Sequence, residues 1–248
     1  MKAVVLLSGG MDSTTALALT VHQGAEAIAT VTASYGSLHQ EKETEAARRV
    51  YAHFLKRHAT IHSPIKLDLH SAFTRSKSAL LGNDSMPDSK YSDLSVDGPS
   101  ATVVPFRNAH LLSSATTIAL DLEYDTIVFA AHANDAAHWA YPDCTPEFTG
   151  AMACAIYVGS MHKVRLTTPF QFSTKAEIVK LAAELGAPLQ LTWSCYRGLE
   201  KPCGTCPTCL ERIGAFKLAG YKDPVEYLYE SPWPEHSRAW EVQNDPLH

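Results

Sequence analysis

Ser8-Gly9-Gly10-Met11-Asp12-Ser13 follows a short apolar run, and its residue types suit the holding of an anion. Glycines let backbone N–H groups approach phosphate oxygens, Ser8 and Ser13 add hydroxyl donors, and a helix starting here points its unpaired N–H groups the same way. The Gly-Lys-Ser/Thr ending of a Walker A loop is missing. The plainer alternative is an ordinary strand-to-helix turn capped by Asp12 or Ser13. A second cluster joins Cys195, Cys203, Cys206 and Cys209 at spacings x7, x2 and x2. Four thiolates so spaced can enclose one Zn²⁺ tetrahedrally, with Gly204 and Pro207 suited to the tight turns between them. Four protein ligands leave no open position, so such a site is structural; a redox Cys-x2-Cys pair is the competing reading.

Two further motifs could serve a substrate. Thr102-Val103-Val104-Pro105-Phe106-Arg107-Asn108 leads into a helix, where Arg107 offers a planar fork for carboxylate or phosphate, or simply sits on the surface. Trp139-Ala140-Tyr141-Pro142-Asp143-Cys144-Thr145-Pro146-Glu147-Phe148 sets aromatic rings beside an acid, which suits a flat heterocycle bearing N–H donors. Trp139 and Tyr141 are equally at home in a core.

The elements that must position these residues alternate. Residues 2–7, 27–33, 65–69, 127–131 and 164–167 read as strands, and 13–22, 41–56, 107–120, 146–158 and 175–185 as helices. That order specifies an α/β fold, a doubly wound and mainly parallel sheet with right-handed crossovers. The expected organisation is an anion-binding α/β domain over 1–190, a four-cysteine zinc segment over 191–230 and a tail over 231–248, to which no function is assigned. Residues 76–100, rich in Ser, Asp, Gly and Pro, form a long loop, either a lid or a mobile stretch.

Composition sets outer bounds. The 248 residues are 46% hydrophobic and 19% charged with a net charge of -5, which excludes a low-complexity chain and argues against bulk electrostatic binding of nucleic acid or anionic membrane. The first apolar run breaks into glycine too early for a secretory signal and no apolar segment is long enough to span a bilayer, so a reducing cytoplasm is expected. Of six cysteines, Cys154 is expected as a small core residue of helix 146–158, and Cys144 belongs to the aromatic loop.

The string SGGMDS strongly resembles the PP-loop of the ATP pyrophosphatase superfamily, and SGGMDS, VPFRN, YPDC and CYRGLEKPCGTCPTCLER in that order closely resemble the 7-cyano-7-deazaguanine synthase family over about residues 2–212. SYGSLH over residues 34–39 is similar to the family's YGQxH segment, and TKAEI over 174–178 to its helix start. The chain departs from the family pattern at Ser37, Phe106 and Thr145, where Gln, Gly and Arg are usual.

The resemblance implies a PP-loop fold and an ATP-dependent C–N ligase that converts 7-carboxy-7-deazaguanine and ammonia to 7-cyano-7-deazaguanine, in queuosine and archaeosine synthesis. It implies that Leu7, Ser8, Gly9, Gly10, Met11, Asp12, Ser13, Thr14 and Leu17 bind ATP, with Asp12 helping to hold Mg²⁺. Lys175 neutralises phosphate charge, and Ser8, Asp12, Ser13, Arg107 and Lys175 form the catalytic set. Tyr35, His39, Arg107, Asn108, Tyr141 and Asp143 face the acceptor, Asp143 toward its guanine-like N–H edge. His39 is a proton relay or a helix-start hydrogen bond, and the chemistry needs no Cys144 thioester. The expected partners are small-molecule substrates, with no nucleic acid and no membrane, and a second copy of the chain packed along 151–157. Alternatives are a ligase that stops at the amide or transfers the acid to another amine, as Phe106 and Thr145 suggest, a tRNA-thiolating PP-loop protein, and a zinc-bearing nucleic-acid module.

Overall fold

The computed structural model describes residues 1–62, 64–82, 99–229 and 232–241. Five strands, β1 (Lys2–Leu6), β2 (Ala27–Ser34), β3 (Ile65–Asp68), β4 (Thr126–Val128) and β5 (Arg165–Thr167), form a sheet in the order β3-β2-β1-β4-β5. Every pairing is parallel, and Val4 of β1 stands opposite both Ala29 and Ile127. The run KAVVLL is continuously apolar because β1 is central and buried on both faces. Ala3, Val5 and Leu7 turn into one core and Val4 and Leu6 into the other.

The first core takes α1 (Met11–His22), α2 (Gln40–Leu55), α5 (Lys175–Glu184) and α6 (Pro207–Ala219); the second takes α3 (Arg107–Asp121) and Ile156 of α4 (Pro146–Gly159). From β1 the chain winds toward β2 and β3 on one side, then crosses to β4 and β5 on the other. The connections leaving β1 and β4 therefore diverge, and the crevice beyond their carboxyl ends is the place where such a sheet binds ligands.

The alternation read from sequence is present, with ends moved by a residue or two, except that β4 stops at Val128, three residues short of the expected end. The first helix opens earlier, at Met11 with Gly10 as its N-cap, so Asp12 and Ser13 lie in its first turn and do not cap it. Helix α6 has no counterpart in the sequence reading, which took Pro207 for a turn inside the cysteine cluster. Pro207 is instead the first residue of the helix, where its missing N–H costs nothing. Cys154, expected in the core, is exposed on α4. Of the long polar segment, residues 83–98 lie outside the described residues. Its ends adjoin, the Ala79 N–H donating to Ala101 O at 2.9 Å. In the tail, Trp233 and Trp240 pack against the first core, while 231 and 242–248 lie outside the described residues. Among the described residues no helix is long and apolar enough to cross a membrane.

Candidate functional site

The loop after β1 is locked in place by backbone. Gly9 has φ +85°, and a Cβ there would stand 2.6 Å from Glu43 O and Ala47 N, so only glycine lets α2 pack this close. On its other side the Trp193 N–H donates to Gly9 O at 2.9 Å. Ser13 Oγ accepts the Ser8 N–H at 3.2 Å and lies 3.0 Å from Ser8 Oγ, which holds both hydroxyls over the N-terminus of α1.

Beside the loop lies a group of charges drawn from separate elements. Lys175, first residue of α5, is positioned by a capping box between Thr174 and Glu177, and its N–H bonds Asn134 Oδ1 at 2.9 Å. Its Nζ lies 2.7 Å from Glu211 of α6 and 3.6 Å from Asp12. His132, buried, brings Nε2 within 3.6 Å of Asp12 and 3.3 Å of Asp135, and its Nδ1 accepts the Asp135 N–H. Burial works against the Asp12 carboxylate, but Lys175 and His132 outweigh it and hold its pKa well below the usual range. Burial likewise opposes charge on Lys175, and Asp12 and Glu211 overcome it, raising the ammonium well above its usual pKa. His132 is raised too: burial lowers it, and Asp135 and Asp12 prevail.

Across the crevice, Arg107 opens α3. Its Nη1 donates to Tyr35 Oη at 3.1 Å, and its Nε and Nη2 each lie 3.3 Å from Asn108 Oδ1. Burial opposes its charge but Tyr35 and Asp143 favour it, so Arg107 stays a cation. Asn108 is the joint behind it. Its backbone N–H donates to Asp143 Oδ2 at 2.9 Å and its side-chain amide to Asp143 O and Cys144 Sγ.

Both groups face one cavity of about 220 Å³. Of the residues singled out from sequence, Leu7, Ser8, Gly10, Asp12 and Ser13 line it from the side of the loop after β1, with Lys175. Tyr35, His39, Arg107 and Asn108 line it from the other. Gly9 shapes the loop from behind. Met11, Thr14 and Leu17 are buried under it and do not reach the cavity. Neither do Tyr141 and Asp143. Tyr141 sits behind Tyr196, their hydroxyls 3.3 Å apart, and Asp143 accepts from the helix start, so neither meets a molecule in this cavity directly. Cys144 is buried, and burial pushes its thiol pKa well up, which suits a packed residue and not a nucleophile.

A second, more apolar cavity of about 780 Å³ lies behind α3 and takes in Phe106, Trp139, Thr145 and Phe148. Both family departures near the presumed acceptor, Phe106 and Thr145, thus belong to the second cavity, not the first. Thr145 is the N-cap of α4, its hydroxyl accepting the Phe148 N–H. Sequence reasoning missed several residues of the first cavity, Glu43, Asp135, Ser194, Tyr196 and Thr208 among them. A usable signal existed for two of them, Glu43 lying one helical turn after His39 and Tyr196 inside the CYRG string.

The carboxylates at the phosphate end fit a hard divalent cation shared with phosphate oxygens. Asp12 Oδ1 is buried without a hydrogen-bond partner among the described residues, and Asp135 lines the cavity beside it. The cysteines fit a metal as well. All four are buried, with their Sγ atoms within 4.8 Å of one another, and backbone N–H groups of Arg197, Cys203, Thr205 and Cys206 donate to sulfur at 3.2–3.4 Å. Hydrogen bonds from the Cys206 and Cys209 thiols lower the pKa of Cys195, and its thiolate raises theirs.

Among known proteins, several resemble this chain over most of its length. A 7-cyano-7-deazaguanine synthase of Caldicellulosiruptor saccharolyticus is 42% identical over 236 residues, 95% of this chain and 99% of that protein. One of Archaeoglobus fulgidus is 39% identical over 242 residues, 97% of this chain and 95% of the other. Among solved structures, the U34-tRNA thiolase NcsA from Methanococcus maripaludis with its [4Fe-4S] cluster matches with a TM-score of 0.49 at 14% identity, over 76% of this chain and 58% of that one. The model of the queuosine biosynthesis protein QueC matches residues 2–220, and the chain belongs to that family.

Proposed function

We propose that this chain is a 7-cyano-7-deazaguanine synthase, an ATP-dependent C–N ligase that converts 7-carboxy-7-deazaguanine and ammonia to the nitrile. The observation that carries this is one cavity at the sheet's switch point with a glycine-rich loop on one side and a half-buried arginine on the other. A carboxylate is a poor electrophile because its leaving oxygen is too basic, and adenylation replaces that oxygen with a phosphate. Ser8, the Gly9-Gly10 turn and the first turn of α1 hold the phosphates, and Lys175 balances their charge. Arg107 pairs with the acceptor's carboxylate and turns it toward the α-phosphate. Ammonia then gives the amide, and a second activation, of the amide oxygen, gives the nitrile in the same site. Asp143 and Tyr141 support the acceptor side from behind, through Asn108 and Tyr196. Mg²⁺, held at Asp12 and Asp135, supplies charge neutralisation on the phosphates when bound.

Incubating the protein with 7-carboxy-7-deazaguanine, ATP, Mg²⁺ and ammonium and reading product mass tests the reading. The nitrile is expected; amide alone, or an adduct to another amine, would reject it. The departures that suggest such a ligase, Phe106 and Thr145, face the second cavity, so no feature of the first cavity favours that reading.

The four cysteines hold structural Zn²⁺. Metal analysis should find one zinc per chain, with Cys206→Ser releasing it and lowering the melting temperature; iron with sulfide would replace this assignment. Helix α4 carries no charge after Glu147 and leaves Ala151, Cys154, Ala155 and Val158, one stripe at helical spacing, exposed. A second copy of the chain covers it in a cytoplasmic homodimer. Light scattering should give a dimer, and Ala155→Arg a monomer.

A further inference from the structure

We propose that Glu43 and His39 form the ammonium subsite of the first cavity, Glu43 holding the cation and His39 Nδ1 accepting its proton; this rests on the acyl-adenylation reading above. The mixed anhydride joins the α-phosphate to the acceptor's carboxylate, so its acyl carbon must lie between the phosphate loop and Arg107. Glu43 stands at that junction. Its backbone touches Gly9 of the loop, and its carboxylate is close enough to Tyr35, the hydrogen-bond partner of Arg107, to help raise that phenol's pKa, chiefly a burial effect. Of the carboxylates lining the cavity, Asp12 and Asp135 belong to the phosphate end; Glu43 alone stands on the acceptor side.

His39 is the second observation. Its side chain is only 1% exposed and lines the cavity, its Nε2 lies 3.3 Å from Glu43 Oε1, and its Nδ1 is buried with no hydrogen-bond partner among the described residues. With the proton on Nε2, facing the carboxylate, Nδ1 carries an open lone pair in a place where water has little access. A buried acceptor is seldom left unpaired, which marks it for a donor that arrives with the reaction. The Tyr196 ring, 5.2 Å from the imidazole, and Tyr35 add aromatic walls, and a carboxylate among aromatic rings is a setting that selects a small cation.

The step balances without a further reactant. One proton passes from ammonium to His39 Nδ1, and the freed lone pair forms the C–N bond to the acyl carbon. The C–O bond to phosphate breaks, AMP leaves with that electron pair, and a second N–H proton is released to give the neutral amide. When the amide oxygen is adenylated in turn, its two N–H protons and AMP must depart to form the nitrile, and the same imidazole stands beside them.

Two variants test this, both near in size to the residues they replace and checked for unchanged melting temperature. In Glu43→Gln the KM for ammonium should rise at least ~10-fold, with much smaller changes in the KM for ATP and for the acid. In His39→Asn the kcat with ammonium should fall ~100-fold. Hydroxylamine, mostly free base at neutral pH, should recover most of that loss and yield the hydroxamic acid. A rise in the KM for the acid in place of ammonium would assign Glu43 to the heterocycle and overturn the subsite. Equal defects with ammonium and hydroxylamine would remove His39 as proton acceptor. If the wild-type protein shows no acid-dependent ATP–pyrophosphate exchange, the adenylation reading falls first and the subsite with it.

Discussion

The two ends of the first cavity are built from different materials. At the phosphate end, Asp12, Lys175 and Glu211 come from three helices and His132 and Asp135 from one turn after β4, and each stands within 3.6 Å of an opposite partner. At the acceptor end one guanidinium is fixed by neutral oxygens, those of Tyr35 and Asn108, between aromatic rings. The first end is pre-charged and rigid, as suits a phosphate chain common to all ATP. The second keeps Arg107's charge uncommitted to a direct ion pair, as suits an acid that must be bound, turned and released. Removing one member of a buried ion pair strands the other at a cost of about 3–5 kcal/mol, whereas changing a cation held by neutral oxygens leaves no charge stranded.

The largest effect is therefore expected at Lys175. Lys175→Met leaves Asp12 and Glu211 buried against each other, so stability should fall by about 3 kcal/mol, and acid-dependent ATP–pyrophosphate exchange by ~1000-fold. The sign with pH follows from Asp12, whose pKa is depressed in the folded protein. Its contribution is present above about pH 4 and is lost as pH falls through the lowered value. The stability gap between wild type and variant, measured by denaturant titration, should thus be widest above that pH and close toward acid. A gap that widens toward acid would mean that Lys175 is not what holds Asp12 ionised.

Next comes the loop itself, where two adjacent glycines should behave differently. Gly9→Ala puts a Cβ at φ +85° and 2.6 Å from α2 backbone, so the loop must shift and exchange should drop ~100-fold. Gly10 has an ordinary φ, and its added Cβ meets the Ser8 Oγ at 3.3 Å and Trp193 O at an ordinary 3.7 Å, so Gly10→Ala should lose a few-fold at most. Equal losses would show that flexibility, not close approach, is what the glycines provide. At the acceptor end, Arg107→Lys keeps the charge but loses the fork that reaches Tyr35 and Asn108 together. The KM for the acid should rise ~10-fold with that for ATP little changed, whereas a rise in the KM for ATP would merge the two ends into one site.

The strand-loop-helix turn after β1 was legible because its signal is local: a strand apolar on both faces, two glycines, hydroxyls at the helix start. The alternation of strands and helices was legible for the same reason. What could not be read lay in tertiary contacts. Asp143 reads as a carboxylate for a substrate edge, yet it accepts the N–H of Asn108, 35 residues earlier, in the first turn of α3, a use that no local pattern announces. His132 reads as one histidine among 12 until β4 and α1 bring it to Asp12. Helix α6 was hidden by its own chemistry. Two cysteines flank its first turn and drew a metal-turn reading, although Pro207 followed by Ile213, Ala215, Phe216 and Ala219 carries a helical apolar spacing.

Phe106 gives the smallest effect and separates the first cavity from the second. A bulky residue at φ 58° and ψ 20° occupies the left-handed region at a cost of about 1 kcal/mol, which explains why glycine suits this position. Its ring, 63% exposed, recovers part of that cost by meeting Phe148 edge to face at 6.0 Å. Phe106→Gly removes both strain and ring, and Phe106→Ala removes the ring alone. The glycine variant should be the more stable of the two by about 1 kcal/mol, and within that margin of wild type. Because the ring lines the second cavity, kcat/KM for the acid should stay within twofold in both variants. A larger change in the glycine variant alone would mean that the backbone strain aims Arg107, the next residue, at the acceptor. A larger change in both would mean that the second cavity takes part of the acceptor, and the contrast between the two ends would then have to be redrawn around α3.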